Sequence, residues 1–313
     1  MLNSAINVVK NYTMNNYLIT VVGATGIGKT ALSIKLAQHF KAEIISSDSR
    51  QFYKEMSIGT AVPTSEELAT AKHHFIQNRS VFENYSVGQF EKDALLKLEE
   101  LFFKNNHVIM VGGSGLYTNA VISGLDYFPE VKPEIRENLN YQLQNKGIEF
   151  LQNKLKELDS ESFNSIEIEN PHRLIRALEI CIGTGKPYST FKNKNKEKRN
   201  FTTIKVGLTA DREIMYNRIN KRVDTMLEEG LLKEAKKLHE HKNLNALQTV
   251  GYRELFQYLD GNCTLEFAIS EIKKNTRRFA KRQVTWNKKD TSINWFDFKT
   301  TSSEIINSIE KII

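Results

Sequence analysis

Residues 17–30 read YLITVVGATGIGKT. A β-branched run, Tyr17 to Val22, leads straight into a glycine-rich turn and then a lysine–threonine pair. The eight residues Gly23, Ala24, Thr25, Gly26, Ile27, Gly28, Lys29 and Thr30 fit G-x-x-x-x-G-K-T. Such a loop turns backbone N–H groups toward phosphate oxygens. The stretch from Lys29 to Phe40 carries Leu32, Ile34, Leu36 and Ala37 and reads as a helix, whose N-terminus adds a positive dipole end. Lys29 is a point charge for the phosphates, and the Thr30 hydroxyl is the expected Mg2+ ligand. The loop alone does not say whether it holds a nucleoside triphosphate or another diphosphate.

Outward from this loop the chain alternates. EIISS (43–47), the weaker HHFIQ (73–77), HVIMV (107–111) and TTIKVGL (203–209) read as strands, with a helical pattern over 88–104. This rhythm predicts an α/β fold: a parallel sheet flanked by helices, nucleotide-kinase-like, with ligands beyond the carboxyl ends of the strands. A polar, helix-like segment over 129–200 breaks the rhythm and ends in the charged run FKNKNKEKRN (191–200). It predicts a helical insertion, with the core formed by 17–128 and 201–313. After 210 the pattern is helical almost to the end, with a short strand candidate at NWFDF (294–298). Residues 1–16 read as a loose tail, not as a signal peptide. No fixed-period repeat is visible.

Composition narrows the class. The chain has 313 residues, enough for two domains or for one with a large insertion. Its 44 basic and 37 acidic residues give a net charge of +7, so the placement of charge matters more than its sum. Two cysteines far apart, Cys181 and Cys263, argue against a disulfide framework or zinc module and for a reducing, cytoplasmic compartment. No apolar run approaches the length of a membrane span.

Four further stretches carry candidate chemistry. In SSDSRQFY (46–53), Asp48 is either a general base or a turn residue. In VGGSGLY (111–117), the three glycines suit either a close ligand approach or a tight turn. Arg218 and Arg222 share a helical face and could clamp a diphosphate, or be solvated. KKNTRRFAKRQVTWNKK (273–289) holds eight basic residues and no acidic one. Read as a helix, it stacks Lys273, Arg277 and Lys281, and beside them Lys274, Arg278 and Arg282, at a spacing where like charges repel. The stripe therefore points to a polyanion, with Trp286 free to stack on a base or to pack in the core.

Taken together and in order, these stretches resemble the bacterial tRNA dimethylallyltransferase (IPP transferase) family, over about Tyr17 to Trp286. The resemblance rests on GATGIGKT, EIISSDSRQFYKEMSIGTAVP, HHF, YSVGQFEKDA, VGGSGLY, NPHRLIRALEI, DREIMYNRINKRVDTMLEEGL, VGYREL and TRRFAKRQVTW. It implies transfer of a dimethylallyl group from dimethylallyl diphosphate to the exocyclic amine of the adenosine 3′ of the anticodon, with diphosphate released. It implies Asp48 as the base, with Thr25 and Arg222 on the leaving diphosphate. It also implies RNA contacts by Asp48, Ser49, Arg50, Gln51, Ser114, Arg136, the run His172, Arg173, Leu174, Ile175 and Arg176, and by Gln248, Arg253, Lys281 and Arg282. The insertion is expected to help grip the anticodon stem-loop, and the enzyme to act as a monomer. The chain departs from the family pattern at Ala24 (usually proline), Ser114 (usually threonine), His172 (usually glutamine) and Phe75–Gln77 (often Leu-Ile-Asp). Three other readings remain: a small-metabolite P-loop kinase, a non-catalytic RNA binder, and a prenyltransferase for free adenine nucleotides.

Overall fold

The computed structural model describes residues 15–192 and 198–313. The N-terminal tail up to residue 14 and the middle of the charged run, 193–197, lie outside the described residues. Two compact units divide the chain between Ile122 and Ser123 and between Lys198 and Arg199. Sequence periodicity had put the divisions at 128/129 and 200/201.

The first unit opens with β1 (Tyr17–Gly23), α1 (Lys29–Phe40), β2 (Ile44–Ser46), α2 (Ser65–Thr70), β3 (His73–His74), α3 (Val87–Lys104), β4 (His107–Val111) and α4 (Gly115–Ser123). The second unit holds α5 (Pro133–Leu158), α6 (Ser160–Ser165) and α7 (Pro171–Thr184). The chain then returns through β5 (Thr202–Thr209), α8 (Arg212–Glu228), α9 (Leu231–Leu238), α10 (Tyr252–Leu259), α11 (Leu265–Asn287), β6 (Ile293–Asp297) and α12 (Ser302–Glu310). Among the described residues the six strands form one sheet in the order β3-β2-β4-β1-β5-β6, and every pairing is parallel. The parallel sheet read from the sequence is therefore present.

Burial explains the strand sequences. All seven residues of β1 are buried, as expected of a central parallel strand covered on both faces. One face packs Ile19, Val21, Ile44 and Ile109 with α1 and α12. The other packs Leu18, Ile45, Val108 and Met110 with the α3 residues Phe90, Ala94 and Leu98. Ser46 of β2 pairs with Val111 of β4, and Val21 of β1 with both Val111 and Val206 of β5. The last residues of β2 and β4 thus lie level with Val21 and Val206, and β1 and β5 run on past them. The chain leaves β1 for β2 across β4, and reaches β5 on the other side, so β1 sits at the switch point where a ligand crevice forms.

The helical half of this unit has its own core, built on Val223, Leu231, Leu247, Tyr252, Leu255 and Ile272. The second unit packs Leu139, Leu151, Leu155, Leu174 and Leu178 around Cys181. Gly147, at φ 78°, breaks α5 into two helical pieces. No helix among the described residues is long and apolar enough to cross a membrane.

Candidate active site

The phosphate loop is held from three sides. Gly28, at φ 113°, caps α1 in a conformation open to glycine and costly for other residues. Ala24 is buried against Ile219 of α8 and Ala280 of α11, which leaves room there for a small side chain. Arg218 donates from Nε to the Gly26 carbonyl at 2.9 Å. This corrects the reading of Arg218 and Arg222 as one clamp. Arg218 braces the loop backbone, while Arg222 alone turns into the site.

Gln283 of α11 is the brace that the sequence did not reveal. Its Oε1 accepts the Thr25 N–H at 2.8 Å, and its Nε2 donates to the Gly113 carbonyl at 2.8 Å. One buried amide thus ties the phosphate loop to the glycine loop after β4. The glycines of that second loop serve the same assembly. A Cβ at Gly112 would sit 2.2 Å from Ser47 Oγ, at Gly113 2.5 Å from Gln283 Nε2, and at Gly115 2.4 Å from Trp286 Nε1. The close approach read from GGSG includes the protein's own side chains, while Gly112, Gly113 and Gly115 also line the cavities described below.

Asp48 follows β2 in a short turn, with its Oδ1 accepting the Arg50 N–H at 3.0 Å. Ser114 accepts the Ser49 N–H at 3.1 Å and bonds the Ser49 hydroxyl at 3.0 Å, fixing this turn against the glycine loop. Asp48 is therefore both a turn residue and a carboxylate facing open space.

Two cavities, about 550 and 590 Å³, open on either side of it. Both are lined by Thr25, Asp48, Thr60, Gly113, Arg222 and Met226. The first also carries Ser49, Arg50, Ser114, Gln248, Arg253 and Arg282, with the rings of Tyr117, Phe279 and Trp286. The second carries Lys29 and Thr30, with apolar side chains of Ile58, Val62, Leu68 and Ile76. It also carries His73, whose Nε2 is buried without a partner.

The electrostatics follow this geometry. Burial lowers the Lys29 pKa to about 8; the Asp48 carboxylate opposes the shift and the Arg222 guanidinium adds to it. Burial also lowers the Arg222 pKa, against the pull of Asp48 and Glu229. Lys29 and Arg222, both desolvated, share the second cavity with the carboxylates of Asp48, Glu67 and Glu229, so the place for an anion is local to Lys29 and the loop amides.

Mg2+ fits this cavity on chemical grounds. No group of three or more His, Cys, Asp or Glu among the described residues could hold a metal. Mg2+ commonly takes one or two protein oxygens and completes its shell with phosphate and water. The Thr30 hydroxyl, placed beside Lys29, is such an oxygen.

Several expected RNA contacts differ from the resemblance. Gln51 lines the second cavity, and its amide is committed within the protein: Nε2 donates to the Thr60 and Ala61 carbonyls at 3.2 and 2.9 Å, and Oε1 accepts from Ser46. Leu174 and Ile175 are core residues of the second unit, 0% and 5% exposed. The run 172–176 thus offers only the side chains of His172, Arg173 and Arg176. Arg136 and Arg176 converge on the buried Glu179 carboxylate, at 2.5 and 3.1 Å. These two cations hold Glu179 below the usual carboxylate range although burial opposes it.

The basic stripe of α11 is also less free than its sequence implied. Lys273 pairs with Asp224 of α8 at 2.5 Å, and Lys274 with Glu271 at 2.8 Å. Arg277 bonds Asn220 at 2.7 Å. Lys281 and Arg282 are exposed, and Arg282 lines the first cavity.

The IPP transferase family profile matches residues 51–290. The chain belongs to this family. A tRNA dimethylallyltransferase of Flavobacterium psychrophilum is 61% identical over 94% of this chain and 98% of its own. One of Christiangramia forsetii is also 61% identical, over 96% and 99%. Among solved structures, the full-length tRNA isopentenylpyrophosphate transferase of Bacillus halodurans superposes with TM-score 0.70 at 37% identity, covering 95% of each chain. A eukaryotic dimethylallyltransferase acting on tRNA gives TM-score 0.79 at 28% identity, covering 96% of this chain and 78% of that one.

Proposed function

We infer that this chain is a tRNA dimethylallyltransferase, moving a dimethylallyl group from dimethylallyl diphosphate to the exocyclic amine of the adenosine 3′ of the anticodon. The observation that carries the reading is the meeting of two unlike cavities at Thr25, Asp48 and Arg222. A kinase of small metabolites also joins a phosphate cradle to an acceptor pocket, so the chemistry of the second chamber decides. This molecule has an anion site and, across one carboxylate, a second chamber lined by arginines and aromatic rings. Arginine planes and aromatic faces are what receive unstacked bases of single-stranded RNA.

The second cavity takes the diphosphate on Lys29 and the loop amides, with the five-carbon chain among its apolar side chains. Mg2+ would be held by Thr30 and diphosphate oxygens, and would offset part of the leaving-group charge. The first cavity takes the everted adenine. An adenine amine is a weak nucleophile because its lone pair is delocalised into the ring. Asp48 accepts its proton as the N–C bond forms. The allylic C–O bond breaks, and its electron pair leaves with the diphosphate. Arg222 and the Thr25 hydroxyl stand where that charge grows, and fixed donors of this kind contribute about 3–4 kcal/mol each in other enzymes. Holding both partners in line favours the amine over water as the acceptor of the prenyl group.

RNA contacts are assigned to Asp48, Ser49, Arg50, Ser114, Gln248, Arg253 and Arg282 around the first cavity, and to Lys281. The helical unit would add His172, Arg173, Arg136 and Arg176 for the anticodon stem-loop. A tRNA substrate and two free cysteines support a cytoplasmic enzyme. The test is incubation with labelled dimethylallyl diphosphate and bulk tRNA. Label enters the tRNA, and Asp48→Ala abolishes the transfer. Label in free nucleotide only, or phosphoryl transfer from ATP, overturns the reading.

A further inference from the structure

The segment 57–61 forms a wall of both cavities. Gly59 and Thr60 face the first; Ser57, Ile58, Thr60 and Ala61 face the second. It belongs to no helix or strand, so its position depends on what grips it from outside.

The grip is unusual in its concentration. Glu234 of α9 accepts three successive backbone N–H groups, from Ser57 at 3.0 Å, Ile58 at 2.9 Å and Gly59 at 2.9 Å. Consecutive amides converging on one anion are how a backbone binds phosphate. In this segment the anion is a side chain of the protein itself. The Tyr252 hydroxyl donates to the same carboxylate at 2.6 Å. Tyr252 is fully buried, and its ring approaches so closely that a Cβ on Gly59 would lie 2.6 Å from it.

A second grip comes from the opposite side. Gln51 donates to the Thr60 and Ala61 carbonyls and accepts from Ser46. The Asp48 N–H reaches that same Ser46 hydroxyl at 3.4 Å. A continuous run of hydrogen bonds therefore links α9 and α10, through the loop, to the strand end that carries Asp48.

We propose that Glu234, Tyr252 and Gln51 are positioning residues: they fix the 57–61 loop as the partition between the two cavities and so set Asp48 against its substrate. The VGYREL stretch then has two jobs in adjacent residues. Tyr252 points inward as an anchor, and Arg253 lines the first cavity. Gln51 acts through the loop, its amide already committed to Thr60, Ala61 and Ser46.

The kinetic arm rests on the transfer reading above; the exchange arm does not. Tyr252→Phe keeps the ring against Gly59 and removes one bond, and Gln51→Ala removes the opposite grip. With dimethylallyl diphosphate and bulk tRNA, each variant lowers kcat about tenfold or more, as sub-ångström misplacement of a reacting group does. The tRNA Kd and the melting temperature stay close to the parent values. Hydrogen exchange read by mass spectrometry speeds up in the peptide covering Ser57 to Gly59 in Tyr252→Phe and in Glu234→Gln. Unchanged exchange there overturns the anchor. A raised tRNA Kd with kcat retained in Gln51→Ala returns that residue to RNA contact and overturns its positioning role. A parent enzyme without transfer activity would refute the functional reading, and the exchange would still decide the anchor.

Discussion

The two cavities share Thr25, Asp48 and Arg222, yet their remaining walls are built from different chemistry. The second is lined by one lysine, the carboxylates of Glu67 and Glu229, His73, small hydroxyls and short aliphatic chains. The first is lined by arginines, aromatic rings and the glycine loop. A lysine is a compact charge that suits a phosphate cradle, whereas an arginine plane also stacks. The difference shows that a phosphate loop defines only half of this site. The other half needs residues from α10 and α11, late in the chain, which add arginines and aromatic rings beside the anion cradle.

Four results would break or sharpen that contrast. The largest effect belongs to the shared wall. Asp48→Ala should cut transfer about 10²–10⁴-fold, the usual range for a lost general base, while each substrate still binds in its own cavity. A comparable loss of binding for either substrate would mean that Asp48 belongs to one cavity alone. Arg222→Ala follows, with kcat down about 10²–10³-fold, the range for removing one preorganised donor. Pre-steady-state transfer would measure it, and a loss under tenfold would remove Arg222 from the leaving group.

The third result concerns the second cavity only. Burial lowers the Lys29 pKa to about 8, from 10.5 for an ordinary lysine. Diphosphate needs it charged, so kcat/KM for dimethylallyl diphosphate should be level below pH 8 and fall about tenfold per unit above it. Stability runs the other way. The unfolded chain holds this proton up to about pH 10.5 and the folded chain only to about 8. Between those values the unfolded state binds more protons, so this group makes folding more favourable as pH rises. A kinetic profile with no limb near pH 8 would contradict the assignment.

The smallest result concerns the first cavity. Arg282→Ala should weaken tRNA binding several-fold and lower the salt slope by about one, with diphosphate affinity unchanged. Lys273→Ala should leave the slope alone, because that ammonium is already paired with Asp224. Equal slopes in the two variants would show that the whole stripe, and not its end near the cavity, meets the RNA.

Legibility differs along the chain for physical reasons. The β1–loop–α1 unit was readable because every interaction that defines it is local. The strand is a buried run, the turn needs glycine, and the helix repeats its apolar residues at its own period. The helix over Val87–Lys104 was readable for the same reason, with Phe90, Ala94, Leu98 and Leu101 turned to the core. The purpose of the glycines in GGSG was not readable. Their neighbours are Ser47, Gln283 and Trp286, and no local pattern announces a side chain that arrives from so far along the chain. The basic stripe misled for the same reason in reverse. One neutralising acid, Asp224, sits on another helix, and the other, Glu271, lies on α11 just outside the stripe. Leu174 and Ile175 were carried over with a motif whose polar residues face outward, while their own side chains fill a core.

The sequence by itself determined the phosphate cradle, the parallel sheet and the membership of a family, because contiguous residues encode turn geometry, strand burial and an ordered set of motifs. Only the tertiary structure decided that Gln283 joins two loops, that Glu234 and Tyr252 hold a third, and that Asp48 stands between two chambers. Those facts depend on distances between residues far apart in the chain, and such distances are set by packing.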